Sequence, residues 1–316
     1  MSNHWDQSKV PPLDGKVVLV TGANAGLGLA AATMFARAGG RVLLACRSQQ
    51  KAETAMDGIR TEVGPSADLA FVPLDLASLE SVAAAADSVR ATESRLDVLV
   101  NNAGLMAVDE SRTEDGFEMQ FGVNHLGHFA LTAGLAPRLL ATPGSRVVTM
   151  SSLGHRAGRL RLDDLYLERR GYDRWRPYFQ SKLANLLFTL ELQRRLAEAG
   201  GGTIALAAHP GNSATEIALH GGGGLAQSAM SFMGTWVQPY VPLAQSPSMG
   251  ALPLVRAATD PDARGGQFYG PQWLVGGYPR VETPSRRARQ ADDARRLWER
   301  SEELTGITFR PAVSTA

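Results

Sequence analysis

A short β-branched run, Lys16–Thr21 (KVVLVT), leads into a glycine-spaced turn. The turn reads Thr21-Gly22-Ala23-Asn24-Ala25-Gly26-Leu27-Gly28, and it opens an alanine-rich helical stretch, Gly26–Arg37. This strand–turn–helix junction constrains the fold more than any other feature. Glycines there let the backbone turn sharply and come close to a pyrophosphate. The free N–H groups at the helix start carry partial positive charge and suit an anion. The spacing is Gly-x-x-x-Gly-x-Gly, not the Gly-x-Gly-x-x-Gly of the best-known dinucleotide turn, so position carries more weight than spacing. Gly22, Asn24, Gly26, Leu27 and Gly28 are the candidate phosphate-side contacts.

The same strand-then-helix rhythm continues. Strands are expected at Arg41–Ala45, Leu69–Leu74, Asp97–Val100, Ser145–Met150 and Thr203–Ala208. Helices are expected at Gln49–Glu62, Leu79–Ala91 and Gln180–Ala199, with helical material over Glu114–Leu140 that Pro137 kinks or breaks. Alternation of this kind predicts an α/β fold: a single-domain, doubly wound parallel sheet of Rossmann type, with helices on both faces. Ligands then bind at the carboxyl ends of the strands. The expected organisation is an N-terminal arm over 1–14, one dinucleotide-binding and catalytic domain over 15–285, and a helical tail over 286–316 packed on it. Gly221–Gly224 and Pro239, Pro242 and Pro247 mark a mobile substrate loop at about 212–247. Leu297, Trp298 and Leu304 would dock the tail.

Composition excludes other classes. A net charge of +1 over 316 residues offers no field for nucleic acid. One cysteine, Cys46, forbids an intrachain disulfide and fits a reducing compartment. No run approaches the roughly 18 apolar residues of a membrane span, and Met1–Pro12 has no apolar leader segment, so a cytoplasmic protein is expected.

Cofactor choice should be legible where the second strand ends. An NAD enzyme usually places an acid there for the ribose 2′-OH. This chain has Ala45-Cys46-Arg47-Ser48. Arg47 suits a 2′-phosphate through its planar fork, so NADP(H) is expected over NAD(H), which stays open. Ser48 belongs to the same turn. Asp75-Leu76 ends the third strand, where the carboxylate suits an adenine amino group or caps the next helix.

Tyr178 and Lys182 are four apart on an expected helix and share a face. A free tyrosine titrates near 10, and an adjacent ammonium would bring it toward a working acid–base range. Ser151-Ser152 ends the strand before it, where a hydroxyl can stabilise charge on a substrate oxygen. Asn101-Asn102-Ala103-Gly104 ends another strand, and Asn124 lies in the following helical stretch.

Taken together, Thr21–Gly28, Asn101–Gly104, Ser152, Tyr178-x-x-x-Lys182 and Pro210-Gly211 resemble the short-chain dehydrogenase/reductase superfamily in content and order, over Lys16 to Phe268. Cys46-Arg47-Ser48, Val123–Phe129, Ser181–Asn185 and Leu297-Trp298-Glu299 look especially like its retinol dehydrogenase-like branch. The resemblance implies a hydride transfer between a nicotinamide and an alcohol or carbonyl substrate; the apolar lid candidates named below suit a lipophilic one. Tyr178 would be the acid in reduction and the base in oxidation. Lys182 would lower its pKa and hold the nicotinamide ribose. Ser152, the second of the serine pair, would orient the carbonyl, and Asn124 would support a proton-relay water. Asn101, Ala103 and Gly104 would line the adenosine ribose side; Pro210, Gly211 and Thr215 would contact the nicotinamide. A homo-oligomer is a superfamily habit. Alternative readings are a carbon–carbon double bond (enone) reductase and a silent NADP sensor, which would have no need of Tyr178 and Lys182.

Other features carry less. His125 and His128 lack the further ligands of a metal site. His155 is either a loop residue or part of the substrate mouth, and His209 is structural or near the nicotinamide. The arginines at 286–296 read as a solvated helix face. Met230, Phe232, Met233 and Trp236 are candidates for an apolar lid.

Overall fold

Each expected strand is apolar at successive positions, and the fold explains why. In the structure, a computed structural model that describes residues 4–169, 171–211 and 245–309, alternate side chains of each strand enter different cores. Val18 and Val20 of β1 (Val17–Thr21) enter one, and Val17 and Leu19 the other. Val42 and Leu44 of β2 (Arg41–Cys46) oppose Leu43 and Ala45 in the same way. A strand buried on both faces needs an unbroken apolar run.

The remaining strands are β3 (Leu69–Pro73), β4 (Val98–Asn101), β5 (Arg146–Met150), β6 (Ile204–Ala208), β7 (Phe268–Pro271) and β8 (Pro279–Glu282). Among the described residues they form one eight-stranded sheet in the order β3-β2-β1-β4-β5-β6-β7-β8. Every pair is parallel except β7–β8. The order reverses between β1 and β4, which opens a crevice above their carboxyl ends. The fold is thus the single doubly wound α/β domain that the alternation predicts.

α1 (Gly26–Arg37), α2 (Gln49–Val63) and α7 (Pro247–Thr259) cover one face, with Phe35, Ile59 and Val255 in its core. α3 (Leu79–Thr92), α5 (Gly127–Leu140) and α6 (Trp175–Glu198) cover the other. The tail helix α8 (Ala291–Thr305) lies over this second layer. Its Trp298 stacks on Phe188 at 5.8 Å, meets Phe129 edge-on at 5.2 Å and sits under Arg195. A buried tryptophan of this kind is worth about 3–5 kcal/mol against alanine. Leu297 is buried and Leu304 partly so, as the tail's periodicity suggests.

Three local differences from the expected elements bear on the site. The helix carrying Tyr178 begins at Trp175, not Gln180, because the Asp173 carboxylate accepts the Trp175 and Arg176 N–H groups at 3.0 and 3.1 Å. Pro177 falls in its first turn, where a missing N–H costs nothing. α5 runs through Pro137 and ends three residues later at Leu140, so the proline forfeits one bond, to the Ala133 carbonyl, without breaking the helix. The stretch over Glu114–Leu140 becomes helical only at α4 (Met119–Phe121), which the Glu118 carboxylate caps at 2.7 and 3.0 Å. A π-helical segment, Gly122–Leu126, joins α4 to α5 and holds Asn124. Such segments are frequent at functional sites.

His125, His128 and His155 are buried, and burial lowers them to about 3, 4 and 4. All three are therefore neutral in the fold, whereas unfolded they would titrate near 6.5. Well above pH 6.5 the two states bind protons equally. As pH falls through 6.5 the unfolded chain binds more, so stability falls toward pH 4, with a slope that approaches about 1.4 kcal/mol per pH unit for each histidine. Urea midpoints at pH 7.5, 6.0 and 5.0 check this, and a midpoint unchanged down to pH 5.0 would contradict it.

Candidate active site

The glycine turn is built for close approach. Gly22 has φ 67°, and a Cβ on Gly28 would lie 2.3 Å from the Gly22 carbonyl oxygen and 2.6 Å from Asn102 Nδ2. Only glycine lets α1 start that tightly against β1, leaving its first N–H groups facing the crevice. Asn102 locks the facing strand end to the turn: its Nδ2 donates to the Thr21 carbonyl at 2.9 Å.

A cleft of 1330 Å³ runs from this turn across the strand ends. Gly22, Asn24, Gly26, Leu27 and Gly28 line it, as do Arg47, Asp75, Leu76, Ala103, Gly104, Pro210 and Gly211. Ser152, Tyr178 and Lys182 line the same cleft. Thus most of the sequence-nominated residues converge on one space. Three described ones do not line it as expected. Ser48 instead caps α2, accepting the Lys51 N–H at 3.3 Å. Asn101 is turned inward and donates to Thr132 at 3.0 Å, so its neighbour Asn102 is the one on the cleft. Asn124 is buried behind Leu105. Thr215 lies outside the described residues, as do Met230, Phe232, Met233 and Trp236.

Two adjacent serines have separate tasks. Ser151 is buried and donates to the Lys182 carbonyl at 2.8 Å, tying β5 to α6. Ser152 keeps its hydroxyl at the cleft, accepts the Gly154 N–H at 3.1 Å and faces Tyr178. His155 pins this turn from behind. Its Nδ1 donates to the Ser152 carbonyl at 2.7 Å, and its Nε2 accepts the Ser285 N–H at 3.2 Å. It is structural, not part of the mouth. His209 is buried too; its Nδ1 accepts the Gly211 N–H at 3.1 Å and its Nε2 faces Glu282 at 3.2 Å, which holds the Pro210-Gly211 turn.

Lys182 is buried, its Nζ 3.4 Å from the Met150 carbonyl and 5.8 Å from the Tyr178 ring centroid. Burial pushes the ammonium down to about 8. Burial also pushes the Tyr178 phenol up from its ordinary value, while the Ser152 hydroxyl pulls it back. The Ser152 hydroxyl is thus a lowering group beside Lys182 that the sequence reading did not name, and burial outweighs it. A phenol that stays protonated at neutral pH is suited to donating a proton. A side chain on Gly104 would come within 3.0 Å of Asn124 Oδ1 and 3.2 Å of Lys182 Nζ, so glycine keeps this corner open.

Sequence reasoning misses several cleft residues. Lys51, on the first turn of α2, lines the same cleft as Arg47; a second cation just past the strand end was the available signal. Leu105, Met106, Val108, Met119, Trp175 and Phe179 form an apolar wall beyond Tyr178. Trp175 stacks on Phe179 at 5.9 Å and meets Tyr178 edge-on at 6.5 Å. They come from three separate segments, and only folding brings them together.

A glycine cradle at the sheet's switch point, with a tyrosine, a buried lysine and a serine converging across it, defines a nicotinamide-dependent oxidoreductase. The chain belongs to the short chain dehydrogenase family, which it matches over residues 16–220, and it is an NAD(P)-dependent oxidoreductase acting on CH–OH groups. Within that family it is retinol dehydrogenase-like. It is 42% identical to retinol dehydrogenase 13 of Homo sapiens over 299 residues, which covers 93% of this chain and 86% of that one. It is 41% identical to the polyprenol dehydrogenase of Mus musculus over 305 residues, covering 94% and 86%. A crystal structure of an uncharacterized protein from Mycobacterium paratuberculosis superimposes with a TM-score of 0.80 at 41% identity, covering 97% of this chain and 99% of that one. The L-sorbose reductase of Gluconobacter frateurii, solved with NADPH and L-sorbose, shares the fold at TM-score 0.63 and 20% identity, with 84% and 97% covered. Among the described residues no helix is long and apolar enough to cross a membrane.

Proposed function

We propose that the protein is an NADP(H)-dependent reductase and dehydrogenase of lipophilic carbonyl and alcohol substrates. The observation that carries this is the placement of Tyr178, Ser152 and Lys182 in one cleft, between the glycine cradle and an apolar wall. The nicotinamide, when bound, supplies the hydride; the chain's residues position, polarise and move the proton. In reduction, Ser152 Oγ–H donates to the substrate oxygen and Tyr178 delivers the phenolic proton to it. In oxidation, Tyr178 takes that proton back. Lys182 binds ribose hydroxyls and stabilises phenolate as it forms. The apolar wall at Trp175, Phe179, Met106 and Val108 holds the rest of the substrate and excludes water.

Preference for NADP(H) rests on Arg47 and Lys51. The Arg47 side chain is 72% exposed at the end of β2, and its nearest carboxylate, on Asp75, is 4.0 Å away. The guanidinium is thus free to fork onto a 2′-phosphate, beside the Lys51 ammonium and the N-terminus of α2. Arg47→Ala is expected to weaken NADPH about 10- to 100-fold and to leave NADH within about twofold, since a charge-assisted bidentate contact is worth about 1.5–3 kcal/mol. Fluorescence titration of both reduced cofactors measures this. Equal losses for the two would remove the 2′-phosphate from the argument.

A further inference from the structure

We infer that His128 is a positioning residue that ties the cofactor turn to the catalytic helix, one ring nitrogen serving each side. The inference rests on the function proposed above and deepens it. His128 is buried in the first turn of α5 and does not line the cleft. Its Nδ1 lies 3.0 Å from the Asn124 carbonyl oxygen. A carbonyl only accepts, so Nδ1 carries the proton. Burial, with a smaller push from the Lys182 charge, keeps the imidazole neutral, which leaves Nε2 bare and accepting.

Thr21 Oγ1 stands 2.9 Å from that bare nitrogen and donates to it. The Val100 carbonyl is the other acceptor in reach, at the longer 3.3 Å. With its proton aimed at His128, the hydroxyl turns both lone pairs to the N–H groups of Asn102 and Ala103, each at 2.9 Å. One donor and two acceptors exhaust a hydroxyl. The imidazole thereby sets the approach of the β4 end to the glycine turn across the cofactor crevice.

The other side leads to the chemistry. Asn124 accepts the Leu105 N–H at 2.7 Å and donates to the Leu105 carbonyl and to Ser181 Oγ, both at 2.9 Å. Ser181 Oγ donates to the Tyr178 carbonyl at 2.8 Å. The contacts therefore run from Asn102 and Ala103 through Thr21 and His128 to the Asn124 backbone, and from the Asn124 side chain through Ser181 to the Tyr178 backbone carbonyl.

Two near-isosteric variants separate the two nitrogens. His128→Asn keeps a donor where Nδ1 stands and loses the acceptor for Thr21. His128→Gln keeps an acceptor where Nε2 stands and loses the donor for Asn124. Three quantities are read for each: the NADPH dissociation constant by fluorescence, kcat at saturating NADPH, and the midpoint of thermal unfolding. Loss of one buried hydrogen bond predicts a roughly 10-fold weaker NADPH for His128→Asn with kcat within about twofold, and the reverse pattern for His128→Gln. Thr21→Val should reproduce the binding defect, and Thr21→Ser, which restores the hydroxyl, should relieve it. These two variants keep the test readable if a histidine variant fails to fold. Binding and kcat moving together in both histidine variants, in step with the unfolding midpoint, would overturn the inference, as would no change in either. Wild-type protein that binds no NADPH would strike the proposed function instead, so the two failures are distinguishable.

Discussion

Replacing Gly28 by alanine is expected to abolish NADP(H) binding at concentrations that saturate the wild type. The added methyl would stand 2.3 Å from the Gly22 carbonyl oxygen, 2.6 Å from Asn102 Nδ2 and 2.9 Å from the Gly22 carbonyl carbon. Two of these are backbone atoms of the turn itself, so no rotamer change relieves them. The third belongs to the amide that ties β4 to Thr21. The turn must open, which withdraws the α1 N–H groups from the pyrophosphate position and breaks the Asn102 bridge together. A loss of about 100-fold or more in affinity follows, since several charge-assisted contacts of about 1.5–3 kcal/mol each go at once. The check is NADPH fluorescence titration beside circular dichroism; wild-type affinity in a folded variant would show that the turn does not hold the cofactor.

Tyr178→Phe carries the second large effect, with the opposite signature. The phenol oxygen faces Ser152 at the cleft, while the ring meets Trp175 edge-on and the Lys182 ammonium lies over it at 5.8 Å from the centroid. Phenylalanine keeps that packing and removes only the proton carrier. Turnover should fall by about 10²–10⁴, the usual worth of a positioned acid or base. NADPH affinity should stay within a few-fold, because Gly28, Arg47 and Lys182 are untouched. Steady-state NADPH oxidation and fluorescence titration on one preparation check both halves. A variant that retains wild-type turnover would take Tyr178 out of the chemistry.

The architecture was legible because strand burial on both faces forces continuous apolar runs, and the glycine turn fixes where the first helix starts. Tyr178, Lys182 and Ser152 were legible because helical and strand-end positions relate them locally. What was not legible depends on contacts between distant segments. Thr21 and His128 are 107 positions apart, and nothing in either neighbourhood announces the hydrogen bond between them. Asn101 and Asn102 are adjacent, and only the end of β4 decides which one turns inward to Thr132. The early start of α6 rests on the Asp173 carboxylate accepting the Trp175 and Arg176 N–H groups, with Pro177 in the first turn, contacts that the apolar periodicity does not report. The antiparallel β8 follows a β7 of only four residues, too short to show its direction in the pattern.

The central claim is hydride transfer between a nicotinamide and a carbinol carbon, with Tyr178 moving the proton. Its most direct test is reduction with NADPH deuterated at the transferable position, against a panel of lipophilic aldehydes, ketones and enones, with product mass and deuterium position read by mass spectrometry and NMR. The account predicts one deuterium on the carbinol carbon of an alcohol product, and no such product from Tyr178→Phe on the same timescale. Deuterium on the β-carbon of a saturated ketone, or tight NADPH binding with no label transferred to any carbonyl, would contradict it.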